Sequence, residues 1–271
     1  MERSGMKIGT EGREEDDLRR HAERLAAAYS GGVIAPLRKS LESATVDDAY
    51  AIQSVNTDRW VRDGRSVVGA KAGLTSKAVQ KQLGVDQPDF GILFSDMAIE
   101  DGATVERGRL LQPKVEAEVA FAMRRTPNVE RLTIAELISS VDYVLPALEI
   151  VDSRIREWDI GIIDTIADNA SSGLFVLGTS PVSVSGLDLR LCGMVLEKNG
   201  EPVSFGAGAA CLGHPLHALG WLARTLARVG RPLEPGSIVL SGALGPMIAV
   251  QPGDAFEARI EDIGSVRVRF G

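Results

Sequence analysis

Residues 111–121 alternate apolar with polar or charged side chains at the two-residue period of a β-strand. One face of the predicted strand is apolar: Val115, Ala117, Val119 and Phe121. The other face carries the charges: Lys114, Glu116 and Glu118. Residues two apart on a strand lie about 6.5–7 Å from each other, and two carboxylates so placed repel unless a cation or a proton lies between them. The segment therefore predicts a strand that buries one face and presents paired acids on the other.

A third acid stands alone in an apolar segment further along the chain. Glu149 is the only charged residue within residues 144–151, and a buried lone carboxylate is costly unless it is paired or bound to a metal. Three acids that face one point suit a hard, oxygen-binding ion such as Mg²⁺ or Mn²⁺. Paired acids on a strand are more often a solvated face with Lys and Arg partners, however, and spacing alone does not show that Glu149 meets Glu116 and Glu118.

The composition narrows the class of protein and the kind of metal site. The 271 residues suffice for one large domain or two small ones, and 44% hydrophobic with 25% charged residues is ordinary for a globular protein. The net charge of −7 disfavours a nucleic-acid partner. No apolar run is long enough for a membrane span, so we expect no membrane partner. With three histidines in the chain, a metal would be held mainly by oxygen.

The cysteines and the N-terminus predict a cytoplasmic location. Cys192 and Cys211 are the only cysteines in the sequence, and two lone thiols fit a reducing compartment better than a disulfide framework. The N-terminus lacks the apolar segment of a signal peptide. Residues 1–16 are polar, which predicts a flexible tail that carries no site.

Two amphipathic helices are predicted to form an N-terminal helical subdomain over residues 17–68. The first spans residues 17–30, with its apolar side chains on one face, and two consecutive glycines end it. The second spans residues 46–63, and Thr45 is its N-cap. We expect the two helices to form one layer on the rest of the molecule.

Two polar residues are candidates for a ligand site. Lys71 lies in a short strand that breaks into a glycine-containing turn, and its small neighbours let a ligand approach closely. A helix over residues 77–83, capped by Thr75 or Ser76, is predicted to follow. Asp89 is predicted to lie in a loop bounded by proline and glycine, where catalytic groups often occur. An ordinary exposed lysine and a turn-forming aspartate remain open alternatives at this point.

The C-terminal half is predicted to be rich in strands, with one long helix. Its elements are a helix opened by a capping box at Thr133 and Glu136, a hairpin around Asn199 and Gly200, a helix over residues 214–229, and strands over residues 237–241, 247–250, 255–260 and 265–270. Residues 164–173 predict a polar loop of mostly small side chains, which hydrogen-bond ligands as readily as they form turns. His214 and His217 are expected to be structural or capping, because no third ligand is near in sequence.

Short segments that follow one another in a fixed order carry a resemblance to a known family. They are residues 71–76, 83–91, 112–118, 145–149, 164–173, 211–215, 241–247 and 263–266. Together they resemble the 2-keto-4-pentenoate hydratase branch of the fumarylacetoacetate hydrolase superfamily, from about Asp17 to the C-terminus. Each segment alone is a modest match, and their order and spacing make the resemblance specific.

The resemblance implies a fold and a metal site. The fold is α+β, a mixed β-sheet rolled into a barrel-like sandwich with the N-terminal helical layer, in which residues 69–271 form the catalytic domain. Members of the family usually assemble into homo-oligomers. The family's E-x-E pair and its downstream carboxylate place the ligands of Mg²⁺ or Mn²⁺ at Glu116, Glu118 and Glu149.

The resemblance also implies an activity and further site residues. The reaction is the addition of water to 2-hydroxypenta-2,4-dienoate (2-keto-4-pentenoate), a small 2-hydroxy dienoic acid of aromatic catabolism, which gives 4-hydroxy-2-oxopentanoate. Lys71 and Asp89 are expected to be catalytic, one supplying positive charge and the other acting as a base. Asn169 and Ser171 are expected to bind the substrate.

Two other functions remain open for a sequence of this family. One is decarboxylation of 4-oxalocrotonate (2-oxo-3-hexenedioate), although the loop of residues 243–247 resembles the hydratase form more closely. The other is a non-catalytic assembly partner in a complex of pathway enzymes. Hydrolysis of a C–C bond is disfavoured, because the family's hydrolases use a His–acid pair and His21 is the only histidine before His214.

Overall fold

The computed structural model describes residues 15–77, 80–81 and 87–271. The helix predicted over residues 77–83 and the tail predicted over residues 1–16 therefore lie largely outside the described residues. Glu15 and Asp16, the end of that predicted tail, already belong to the first helix. None of the helices in the described ranges combines the length and the apolar surface that crossing a membrane requires.

The described part of the chain alternates helices with mostly short strands. The helices are α1 (Glu15–Gly31), α2 (Val46–Arg62), α3 (Ile134–Ser140), α4 (Ile162–Ala167) and α5 (Pro215–Arg228). The strands are β1 (Val67–Gly73), β2 (Asp89–Phe94), β3 (Ala98–Ile99), β4 (Thr104–Val105), β5 (Lys114–Met123), β6 (Val141–Val151), β7 (Ser172–Leu177), β8 (Gly193–Lys198), β9 (Glu201–Ala207), β10 (Ile238–Leu240), β11 (Ile248–Ala249), β12 (Ala255–Ile260) and β13 (Gly264–Phe270).

The strands form two sheets. Eight strands make a mixed sheet in the order β2-β1-β10-β5-β6-β7-β3, with β11 also paired to β5. In this sheet β1 is parallel to β10 and β3 to β7, and the other pairs are antiparallel. The second sheet has the order β4-β13-β12-β8-β9. One sheet curls into a half-barrel, so the predicted α+β class with barrel-like sheets is confirmed.

Hydrophobic side chains from both sheets and from α5 form the main core. Phe121 of β5, Leu148 of β6, Leu219 of α5 and Phe256 of β12 are among its fully buried members. The apolar face of β5 predicted from the alternation points into this core, since Val115, Ala117, Val119 and Phe121 are all at most 1% exposed. Burial of one face fixes the register of β5, because a slip by one residue would exchange its two faces.

The N-terminal helices pack on one another and on α4. Their shared core includes Leu25 of α1, Ile52 of α2 and Ile166 of α4, each at most 1% exposed. The predicted N-cap of α2 is confirmed: Thr45 Oγ1 accepts from the Asp48 N–H, and the Asp48 carboxylate accepts from the Thr45 N–H. The predicted helical layer is therefore present, and it covers α4 directly.

Two predictions of loops were wrong. Asp89 does not lie in a loop but begins β2, where it pairs with Gly73 of β1. Gly91 indicates a turn in the sequence, yet here its missing side chain lets Asn169 and Ser172 approach the strand. Residues 164–173 are not a loop either, because α4 and a tight turn occupy them.

The predicted helix caps at Thr133 and His214 are both present, and only the capping box at Thr133 and Glu136 differs from the prediction. Thr133 caps α3 by accepting from the Glu136 N–H, but the Glu136 carboxylate binds Arg125 and the Asn128 N–H, so the capping box is only half formed. His214 is the N-cap of α5, its Nδ1 accepting from the Leu216 N–H at 3.1 Å, which confirms a capping role.

Candidate metal centre and active-site cavity

Strands β5 and β6 bring three carboxylates together in the large sheet. Glu116 and Glu149 lie directly opposite each other in the antiparallel pairing, and Glu118 follows two residues after Glu116 on the same face. One oxygen from each side chain lies within 4.8 Å of the other two. Glu118 and Glu149 are buried and Glu116 is half-buried. The structure thus brings Glu149 together with Glu116 and Glu118, which precede it by 33 and 31 residues in the sequence.

Glu118 is the most enclosed of the three acids. Its Oε2 accepts from the Gly242 N–H at 2.7 Å, whereas its Oε1 has no hydrogen-bond partner among the described residues. Burial, followed by the charges of Glu149 and Glu116, raises the pKa of Glu118 well above its ordinary value. Burial and the Glu149 charge likewise raise the pKa of Glu116 to about 7. Three closely spaced carboxylates that repel one another, two of them buried, fit a hard divalent ion.

Lys71 of β1 lies beside this cluster. Its Nζ is 3.0 Å from Glu149 Oε1, so the two side chains form an ion pair. Both side chains are almost completely buried. Burial by itself would lower the pKa of Lys71, but Glu149, Asp89 and Glu116 outweigh it and raise that pKa above the ordinary value. The negative charges of these neighbours therefore favour the protonated, positively charged form of Lys71.

Asp89 lies diagonally across from Lys71 on the neighbouring strand. Asp89 pairs with Gly73 and Lys71 pairs with Gly91 in the β1–β2 register, so both side chains occupy one face. Asp89 Oδ2 accepts from the Thr165 hydroxyl at 3.2 Å, while Oδ1 faces Gly73 and has no hydrogen-bond partner in the described ranges. Burial raises the pKa of Asp89 against the opposing effect of Lys71. One oxygen of this buried acid is held and the other is available.

Four of the predicted residues, Lys71, Asp89, Glu116 and Ser171, line one cavity of about 620 Å³, whereas Glu118, Glu149 and Asn169 are not part of its lining. Its charged lining residues within the described ranges are Lys71, Asp89, Lys114 and Glu116. Its larger uncharged lining residues are Leu74, Val151, Trp158, Ile160, Phe205, Leu244, Pro246 and Met247. A cavity of this size with a charged end and an apolar remainder suits a small organic acid.

Lys114 and Trp158 form one wall of this cavity. Lys114 precedes Glu116 by two residues on β5, and its Nζ lies 4.1 Å from the centre of the Trp158 ring, a cation–π contact. The Trp158 indole N–H donates to the Gln112 carbonyl at 3.0 Å, and the Gln112 side chain accepts from the Glu157 N–H. These bonds hold Glu157 and Trp158 in the left-handed backbone region, with φ of 57° and 56°.

The turn of residues 169–171 follows α4 and is left-handed throughout. Asn169, Ala170 and Ser171 have φ of 54°, 51° and 52°, which is strained for residues other than glycine. The Asn169 amide exchanges two hydrogen bonds with the backbone of Ile92, at 2.7 and 2.9 Å, and its side chain does not line the 620 Å³ cavity. Ser171 does line the cavity, and its buried hydroxyl has no partner among the described residues.

The structure adds three residues to the predicted site. Thr165 binds Asp89, Gly242 binds Glu118, and Trp158 contacts Lys114. Gly242 and Thr165 fall within the segments that carry the family resemblance, so a signal for them was present. Trp158 follows no motif, and only the path of the chain brings it to the cavity.

The chain belongs to the fumarylacetoacetate hydrolase family, since the family described as "Fumarylacetoacetate (FAA) hydrolase C-terminal" matches residues 60–270. It is similar to a 2-keto-4-pentenoate hydratase of Paraburkholderia xenovorans (strain LB400), 59% identical over 244 residues that cover 90% of this chain and 91% of the relative. It is also similar to 2-keto-4-pentenoate hydratase 1 of Dechloromonas aromatica (strain RCB), 56% identical over 90% of this chain and 93% of the relative.

A solved structure matches the fold over almost its whole length. It is the 4-oxalocrotonate decarboxylase of Pseudomonas putida G7, complexed with magnesium and adipate. The TM-score is 0.91 at 35% sequence identity, and the match covers 96% of this chain and 99% of the decarboxylase.

Proposed function

We propose that the protein is a metal-dependent hydratase that adds water to 2-hydroxypenta-2,4-dienoate and gives 4-hydroxy-2-oxopentanoate. The observation that carries this proposal is the cluster of Glu116, Glu118 and Glu149, within 4.8 Å of one another, at the charged end of a small cavity. The 59% identity to a 2-keto-4-pentenoate hydratase supports the choice of reaction.

The three glutamates would hold one divalent ion, Mg²⁺ or Mn²⁺. The donor set fits because all three donors are carboxylate oxygens, and a cation would satisfy Glu118 Oε1, which has no hydrogen-bond partner among the described residues. A related structure binds magnesium. When bound, such an ion would orient a 2-oxo acid substrate and would supply a Lewis acid.

Lys71 and Asp89 have different roles in this proposal. Lys71 keeps its proton, because three carboxylates surround it, and so offers positive charge where negative charge develops on the substrate. Asp89 has a free Oδ1 and a raised pKa, which suits a group that accepts a proton and returns it. The reaction moves one proton from the enol oxygen to C5 and adds water across C3 and C4. Asp89 Oδ1 is the atom that we assign to these proton transfers.

Lys114 and Ser171 are the substrate-binding groups in this proposal. Lys114 is the second cation of the cavity lining among the described residues, and the substrate is an anion. The Ser171 hydroxyl is buried at the cavity without a partner in the described ranges, so a ligand oxygen would satisfy it. Asn169, expected from the resemblance to bind substrate, would instead hold the turn that presents Ser171.

The charge of the cavity favours the hydratase over 4-oxalocrotonate decarboxylase. The decarboxylase substrate carries a second, distal carboxylate, which needs a cation of its own. The two lysines in the described lining both lie near the glutamates, and the large side chains of the remainder are uncharged. A dienoate with an uncharged tail fits this remainder better. A non-catalytic assembly role is disfavoured, because the acids, Lys71 and Asp89 are all in place.

A direct assay tests the proposal. The purified chain, treated with a chelator and then given Mg²⁺ or Mn²⁺, is offered 2-hydroxypenta-2,4-dienoate and, separately, 2-oxo-3-hexenedioate. We expect loss of the dienoate absorbance together with formation of 4-hydroxy-2-oxopentanoate, dependent on the returned ion. Release of CO₂ from the second substrate at a higher kcat/KM would favour the decarboxylase.

Paired variants show whether the three glutamates hold the ion. We expect Glu118→Gln to abolish turnover and to weaken Mg²⁺ binding measured by calorimetry, because a neutral amide replaces a charged ligand. Glu130→Gln is the matched control, since Glu130 is exposed and belongs neither to the cluster of three carboxylates nor to the cavity lining. Normal turnover by Glu118→Gln after chelation and return of Mg²⁺ would contradict the metal assignment.

The proposal extends to the organisation of the protein. We propose a homo-oligomer in the cytoplasm, with residues 17–68 as a helical subdomain and residues 69–271 as the catalytic domain. Both cysteines are free and buried, which fits a reducing compartment. Association with other enzymes of the same pathway belongs to the proposal as well, and sedimentation of the purified chain alone and with such an enzyme tests it.

A further inference from the structure

The side chain of Gln53 connects the helical layer to two elements of the catalytic cavity. Gln53 lies on α2, is 4% exposed, and its Nε2 donates to the carbonyl of Phe90 at 2.8 Å and to the carbonyl of Ile166 at 3.0 Å. One amide group therefore bridges β2 and α4, which are far apart in the sequence. Phe90 and Ile166 are both buried, so their carbonyl groups depend on donors from the protein.

The two carbonyls belong to neighbours in sequence of Asp89 and Thr165, which are hydrogen-bonded to each other in the site. Phe90 directly follows Asp89, and Ile166 directly follows Thr165. The Thr165 hydroxyl donates to Asp89 Oδ2 at 3.2 Å. The Gln53 amide thus binds the backbone of the residue that follows Asp89 and of the residue that follows Thr165. It therefore controls the separation of β2 from α4.

Strand β2 depends on such side chains because it is the edge strand of the large sheet. Among the strands of the described ranges, only β1 pairs with it, on one side. On its other side the Asn169 amide binds the backbone of Ile92, and Gln53 binds the carbonyl of Phe90. Side-chain amides therefore take the place of a neighbouring strand at the edge that carries Asp89.

The helical layer holds α4 at a second point as well. Arg38, in the turn between α1 and α2, donates its backbone N–H to Asp164 Oδ1 at 3.1 Å, and its guanidinium binds Asp164 Oδ2 at 2.6 Å. Tyr50 of α2 stacks on the ring of Phe90, with centroids 4.6 Å apart. The elements that carry Thr165 and Asp89 are thus both fixed from the N-terminal side.

We infer that Gln53 is a positioning residue for the hydration reaction, acting through the Asp89–Thr165 pair. The inference rests on the proposed function and gives the N-terminal layer a share in catalysis. Gln53 lies outside residues 60–270, the part of the chain that matches the family. Loss of the amide would let β2 and α4 shift, and a displacement of about 1 Å at a catalytic group can lower a rate about 10²-fold.

The test compares two buried amides on the same helix. Gln53→Met preserves the length of the side chain and removes both donated hydrogen bonds. Asn56→Leu is the matched control, because Asn56 is 3% exposed and its one donated hydrogen bond to the described residues stays within the helical layer, to the Ala22 carbonyl at 2.9 Å. We expect both variants to lower Tm, and only Gln53→Met to lower kcat for the dienoate, by about 10–100-fold with little change in KM.

Mg²⁺ affinity, measured by calorimetry well below Tm, provides a readout besides turnover. We expect wild-type affinity in both variants, because neither residue contacts the three glutamates. Unchanged kcat in Gln53→Met would overturn the inference. An equal loss of kcat in both variants would also overturn it, because it would indicate a general loss of stability rather than a role of Gln53 in positioning. A wild-type chain without hydratase activity would overturn the proposed function and the inference with it, whereas an active wild type leaves the variants to decide the inference alone.

Discussion

Replacement of Gly242 by alanine should lower both the stability of the fold and the affinity of the proposed metal centre. The first effect comes from the backbone conformation and packing of Gly242, and the second from its hydrogen bond to Glu118. Gly242 has φ of +95°, and a Cβ added there would meet Thr75 Cγ2 at 2.5 Å and Thr75 Cβ at 2.9 Å. Its N–H also donates to Glu118 Oε2 at 2.7 Å. Alanine in this backbone region costs about 1–2 kcal/mol, and forcing a methyl into packed atoms costs about 1–3 kcal/mol more.

Gly253 supplies the control for the backbone term. It has φ of +87°, and an added Cβ would meet nothing within 4 Å. Gly253→Ala should therefore lose only about 1–2 kcal/mol, and Gly242→Ala about 2–5 kcal/mol, the sum of both terms. At roughly 2–4 °C per kcal/mol for a chain of this size, the difference in Tm should be roughly 2–12 °C.

The metal centre provides the more specific readout. Alanine keeps the backbone N–H, but relief of the clash with Thr75 requires the backbone to shift, which moves that N–H away from Glu118 Oε2. Loss of an outer hydrogen bond to a metal ligand typically lowers metal affinity by about 10–100-fold, so Gly242→Ala should bind Mg²⁺ or Mn²⁺ that much more weakly in calorimetry. Gly253→Ala should bind as the wild type does. If Tm fell by the same amount in both variants and both bound the ion equally well, the steric and hydrogen-bonding roles of Gly242 would be refuted.

Three further perturbations test other parts of the site and the surface. Lys71→Ala should lower kcat by about 10²-fold or more, and an unchanged kcat would remove Lys71 from the chemistry. Lys114→Met should raise KM for the anionic substrate more than it lowers kcat, which steady-state kinetics will separate. Arg125 and the Asn128 N–H hold the pKa of Glu136 at about 2, below its ordinary 4.5. The stability that Glu136 contributes is therefore present above about pH 4.5 and lost as the pH falls towards 2. Glu136→Gln should flatten that acid limb in urea unfolding.

The charged face of β5 was predictable because strand alternation is a local property. Burial of Val115, Val119 and Phe121 leaves Glu116 and Glu118 no other face. The meeting with Glu149 was not predictable from spacing, because it depends on the register between β5 and β6. Family resemblance indicated it, and the register now gives the physical reason.

The errors fell where tertiary contacts override local signals. Glycine and proline around Asp89 favour a turn, yet Gly91 is in a strand because the turn of residues 169–171 needs the space of its side chain. Ile162, Ile163 and Ile166 make residues 162–167 helical by packing on the helical layer, which short-range composition does not reveal. The contact of Trp158 with Lys114 has the same origin.

The direct opposition of Glu116 and Glu149 also bears on how the sheet folds. A slip of one residue between β5 and β6 would turn Glu149 to the other face and leave no set of three carboxylates. An ion that binds only the aligned sheet adds its binding free energy to that one register and to none of its competitors. An ion bound by the three glutamates would therefore stabilise the native register of β5 and β6 during folding, before any substrate is present.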